Sequence, residues 1–77
     1  MLVLLKSLEE LEEDYDIEEG SNYLAIGDII IPKSYDIIEF FGKVVEAHYE
    51  KETDYFLINN GYYFDPDFLK SITKQIY

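Results

Sequence analysis

Residues 43–64 read KVVEAHYEKETDYFLINNGYYF, and the reading of this stretch decides the fold class. Val45, Ala47 and Tyr49 alternate with Val44, Glu46 and His48, the period of a strand with one face buried and one wet. A polar loop follows at residues 50–54, then two apolar runs, Tyr55 to Ile58 and Tyr62 to Phe64, around Asn59-Asn60-Gly61. Asn-Gly is the strongest short-range hairpin signal, because both residues accept positive φ. Three antiparallel strands are therefore expected. Tyr62 and Tyr63 are adjacent on a strand and point to opposite faces, so at least one lies outside the core.

Towards the C-terminus, Asp65-Pro66-Asp67 supplies an N-cap, a proline at the first helical position and an acid in the first turn. A short helix through Phe68, Leu69 and Ile72 is predicted, and residues 73–77 either continue it or add an edge strand. Towards the N-terminus, Glu19-Gly20-Ser21-Asn22 reads as a turn. Tyr23 to Ile26 and residues 28–31 are strand-like, with Gly27 as a bulge between them and Pro32 ending the ladder. Residues 34–41, with Tyr35, Ile38 and Phe41 in helical phase and Gly42 to close, form a short helix or a structured loop.

The first nineteen residues differ in character. Ser7-Leu8-Glu9-Glu10 matches a capping box, and Leu4, Leu8, Leu11 and Tyr15 fall on one helical face. Two starts compete, because Leu2 to Leu5 either extends the helix backwards or forms a short buried strand. Helix throughout is the preferred reading, fraying near Tyr15 because acids in the last turn oppose the dipole. Glu9, Glu10, Glu12, Glu13, Asp14, Asp16, Glu18 and Glu19 make eight acids in eleven residues with no intervening base. Residues 1–19 carry net charge −7 and the remainder −4.

Seventy-seven residues make one domain, read as an acidic helical segment over 1–19 and a β-rich part over 20–77. The fold class is α+β, an acidic N-terminal helix packed on a small bent antiparallel sheet, with a short C-terminal helix. At 48% apolar, with eight tyrosines and five phenylalanines, the chain is too hydrophobic for a disordered acidic tail. With no cysteine there is neither a disulfide framework nor a thiolate metal site, which makes the cytoplasm the expected compartment. Residues 1–5 are too short for a signal or membrane segment. Arginine is absent and the net charge is −11, so direct binding to nucleic acid or to an anionic membrane is not expected.

Gly27-Asp28 before an isoleucine run, Gly42-Lys43-Val44-Val45, the hairpin at Asn60-Gly61, a helical turn and an apolar tail together resemble the order of a small SH3-like barrel over residues 23–77. That resemblance implies a binding module more than an enzyme.

Catalytic signals are absent from the sequence. Asp14-x-Asp16-x-Glu18-x-Gly20 departs from a calcium loop, since its glycine is seventh instead of sixth and Ala25 stands where a bidentate carboxylate is needed. His48 is the only histidine and reads as a strand-face residue; Asp65 and Asp67 read as capping acids. Neither a metal nor a cofactor is expected, and neither is an enzyme. Tyr15, Tyr23, Tyr35, Tyr49, Tyr55, Tyr62, Tyr63 and Tyr77 exceed what a small core hides, and tyrosine is enriched at binding hot spots.

A solvated helix face explains an acidic run when solubility alone is served, yet such surfaces normally intersperse both signs. Concentrated carboxylates at helical spacing mimic phosphates. In size, charge and composition the chain resembles small phage or mobile-element anti-defence inhibitors, of the DNA-mimic or anti-CRISPR kind. The expectation is a non-catalytic inhibitor that places the eight acids, with Tyr15 and Tyr62 as aromatic anchors, against a basic, nucleic-acid-binding protein. Two other classes fit: an adaptor module using an aromatic barrel face or an edge strand, and an immunity- or antitoxin-type nuclease inhibitor.

Overall fold

The computed structural model describes residues 1–34, 36–59 and 61–75; the sequence expectations for Tyr35, Asn60 and Tyr77 lie outside them. Strands β1 (Leu2–Leu5), β2 (Ile17–Glu19), β3 (Tyr23–Ile26), β4 (Ile29–Pro32), β5 (Val44–Glu50), β6 (Tyr55–Ile58), β7 (Tyr62–Phe64) and β8 (Thr73–Lys74) surround two short helices, α1 (Leu8–Leu11) and α2 (Pro66–Ile72), and a 3-10 helix at Asp36–Phe40. They form a five-stranded sheet in the order β7-β6-β5-β1-β8 and a three-stranded sheet in the order β2-β3-β4. Every pairing is antiparallel.

The long strand β5 produces the curl of the larger sheet. Its first residues, Val44 to Glu46, pair with β1, and its last, Ala47 to Glu50, pair with β6. One strand thus serves two neighbours in succession, and the sheet twists as it passes from one to the other. The alternation expected over residues 43–49 is met at Val45 and Ala47, which are buried, and at Val44, Glu46 and His48, which are exposed; Tyr49 is exposed as well.

One core joins the two sheets. Leu5, Val45, Ala47, Ile58 and Phe64 from the larger sheet meet Leu24, Ile26 and Ile31 from the smaller. Leu11, Ile37, Phe68, Leu69 and Ile72 from the helical segments close it. Asp65 caps α2 as expected, its carboxylate accepting from the Phe68 amide at 2.9 Å. The Phe68 ring then meets Phe64 edge-on, with centroids 5.3 Å apart. The chain beyond α2 adds the edge strand β8.

The long acidic N-terminal helix does not form. Strand accounts for 42% of the described residues and helix for 22%, so the fold is mostly sheet. Leu2–Leu5 takes the strand alternative because β5 and β8 satisfy its backbone on both sides, which a helix in that position would forgo. The capping box is real: Ser7 Oγ accepts from the Glu10 amide and Glu10 reaches back to the Ser7 amide, both at 3.2 Å. The helix it starts lasts one turn. It is capped at Glu12, three residues earlier than the sequence spacing predicts at Tyr15, and residues 17–19 turn extended against β3.

Gly27 is not a bulge. It is the first turn residue between β3 and β4, with φ 57°. Gly42, with φ 88°, follows the 3-10 helix as expected and its amide donates to the Leu5 carbonyl at 3.1 Å. In the β6–β7 hairpin the Gly61 amide donates to Ile58 at 3.1 Å. Asn59, at the start of the turn, has a positive φ of 49°.

Candidate docking surfaces

The eight acids are not a helical rod. Glu9 and Glu10 lie on α1, Glu12 to Asp14 and Asp16 on the turn beyond it, and Glu18 and Glu19 on β2, an edge strand of the smaller sheet. All are exposed except Glu10, which is half-buried.

Half of this run has work inside the fold. Glu10 completes the capping box and pairs with Lys74 on β8. Hydrogen bonding to the Lys74 ammonium, and then to the Ser7 backbone, holds its carboxyl below the usual glutamate value. Asp14 pairs with Lys6 at 3.7 Å and Glu19 with Lys33 at 3.1 Å. Glu18 accepts from the Tyr23 hydroxyl at 3.1 Å, which raises the Tyr23 ionisation above its usual range because the phenolate would face a carboxylate. Glu9, Glu12, Glu13 and Asp16 are exposed and have no cationic partner among the described residues. The sequence does not reveal that Lys6, Lys33 and Lys74, from three separate segments, converge on the run.

The two expected aromatic anchors part company. Tyr15 is half-buried, its ring edge-on to Phe68 at 6.2 Å and close enough to Gly27 that a Cβ there would meet it at 3.2 Å. It packs as a core residue. Tyr62 is half-buried on β7, and its hydroxyl accepts from the Asp36 amide at 2.8 Å. It lines a cleft beside β4, whereas Glu18 and Glu19 lie on β2, the opposite edge of the same three-stranded sheet, and the other acids precede them on α1 and the turn beyond it. The structure therefore holds two separate surfaces.

That cleft, of about 390 Å³, is lined by Ile29 to Pro32 of β4, by residues 61–65 at β7, and by Ile37, Tyr55 and Phe68. Sequence reasoning missed it, although three consecutive isoleucines on a strand give one signal: alternation must turn the middle one outward. On the outer face of the larger sheet, Tyr63 donates its hydroxyl to Glu50 at 3.1 Å; on the face that carries Val45 and Ala47, the exposed Tyr49 donates to Asp54 at 2.5 Å. Each carboxylate raises the ionisation of its tyrosine. No three histidine, aspartate or glutamate side chains among the described residues converge to hold a metal ion. No helix among them is long and apolar enough to cross a membrane. No protein-family model matches the chain, and neither a curated protein nor a solved structure is similar to it.

Proposed function

We propose that this protein is a non-catalytic inhibitor that docks its acidic edge on the basic surface of a nucleic-acid-binding defence protein. The supporting observation is the unspent charge. After Lys6, Lys33 and Lys74 have taken their partners, Glu9, Glu12, Glu13 and Asp16 still project from α1 and the turn beyond it, exposed and uncompensated among the described residues. Such a surface attracts a lysine- or arginine-lined channel and speeds encounter with it. The reading differs from a helical phosphate mimic, because the carboxylates follow a turn and a strand edge.

An SH3-like barrel is part of the proposal, with its residues relocated. Three consecutive strands (β5 to β7), a helical turn (α2) and a last strand beside the first (β8 and β1) carry the resemblance; β2 to β4 are then an insertion between β1 and β5.

The test is competition between the protein and a labelled DNA duplex for purified CRISPR effectors and restriction nucleases, followed by fluorescence anisotropy. Displacement is expected at low salt and is expected to weaken steeply towards 0.5 M NaCl. Joint substitution Glu9→Lys, Glu12→Lys, Glu13→Lys and Asp16→Lys spares all four internally bonded acids and should abolish displacement while the circular dichroism spectrum stays the same. Undiminished displacement by that folded variant sinks the proposal.

A further inference from the structure

The cleft between β4 and β7 separates two open sheet edges. The Lys33 amide donates to the Asn22 carbonyl at 2.9 Å, so the 33/22 pair is hydrogen-bonded. By antiparallel alternation the Ile31/Leu24 and Ile29/Ile26 pairs are bonded too. Ile30, opposite Ala25, accordingly turns its N–H and C=O away from β3. The Asn59 amide donates to Glu46 at 3.0 Å, so β6 directs Tyr55 and Leu57 to β5, and Phe56 and Ile58 to β7. Tyr63, opposite Leu57, accordingly turns its N–H and C=O away from β6. Neither main chain has a bonding partner among the described residues. Ile30 and Tyr63 also have large exposed side chains, 59% and 53% accessible.

We infer that this cleft takes an extended segment of a partner protein, which adds as a strand between β4 and β7 and joins the two sheets. Only a strand offers donors and acceptors to both edges at once, which is the basis of β-augmentation. Pro32 lacks an amide, so Ile30 is the sole β4 residue with a donor turned outward. The ladder is therefore short, and side chains must supply the rest of the affinity. The cleft floor of Ile31, Ile37, Phe64 and Phe68 is apolar and selects aliphatic side chains at alternate positions. Asp65 is the one charged residue lining it among those described, and Lys33 is held by Glu19. With a net charge of −11 over the whole protein, lysine or arginine flanking the aliphatic core of the segment is favoured.

The inference is independent of the acidic edge. It is tested on the full chain with an eight-residue peptide alternating valine and threonine between terminal lysines, and with the same peptide N-methylated at every residue between the lysines, which removes the donors facing both edges. The methylated form keeps the side chains and loses the donors. Binding of the plain peptide should slow hydrogen exchange at the Ile30 and Tyr63 amides, and methylation should weaken binding by about tenfold, the loss of two net hydrogen bonds. Equal binding of both peptides would mean simple apolar occupancy and overturn the inference. So would unchanged exchange at both amides, or protection that follows protein concentration instead of peptide, which would identify a second copy as the occupant.

Discussion

Glu10 ties the start of α1 to the last strand, and its chemistry predicts how the fold responds to acid. Its folded-state carboxyl lies below the unfolded value of 4.5, so its contribution is fully present above that pH and is lost as pH falls through the folded value. Glu10→Gln should flatten the stability profile below about pH 4.5, read as urea midpoints at successive pH values. At the alkaline end the sign reverses. Tyr23, Tyr49 and Tyr63 ionise above 10.0 when folded, so their contribution is present below that value and is lost as pH rises. Ultraviolet titration should show three late phenolates. Gly20→Ala should remove one of them: a Cβ at Gly20 overlaps the Tyr23 ring, and displacing that ring breaks its bond to Glu18.

Among the elements, α1 depends on its two ends. Ser7→Ala removes the cap and should cost about 1 kcal/mol. Leu11→Ala removes a side chain with no exposed surface and should cost about 3 kcal/mol; both losses are measurable by denaturant unfolding. The strands β3 to β7 and helix α2 were legible in the sequence because each carries its own local signal: alternation, a turn residue or a cap. The strands β1 and β2 were not. Leu2–Leu5 is apolar on every side, and a four-residue apolar run fits strand and helix alike. Ile17–Glu19 has one apolar residue in three, and glutamate is disfavoured in strands. What makes it a strand is β3 across the Ser21-Asn22 turn, with Lys33 and Tyr23 holding its two acids. The acidic residues of the candidate surface were likewise legible as charge but not as geometry, because their lysine partners lie outside the run.

For the molecule as a whole, net charge −11 on 77 residues repels itself in the compact state. Adding NaCl should therefore raise the melting temperature, by about 4–8 °C for each kcal/mol of repulsion relieved, even though it weakens the surface ion pairs of Lys6, Lys33 and Lys74. A protein of this size with balanced charge would show little change. The sheet order was beyond sequence reading, since β1 sits between β5 and β8, whose pairing residues begin at Val44 and Thr73. That placement also governs how the chain is made. During synthesis Leu2–Leu5 leaves the ribosome ahead of both its neighbours, and waits for Val44 before gaining one and for Thr73 before gaining the second. Through that interval it is an unpaired apolar strand of the kind that recruits its own copies. The carboxylates that follow within a few residues are gatekeepers in the nascent chain, protecting β1 before the folded surface exists.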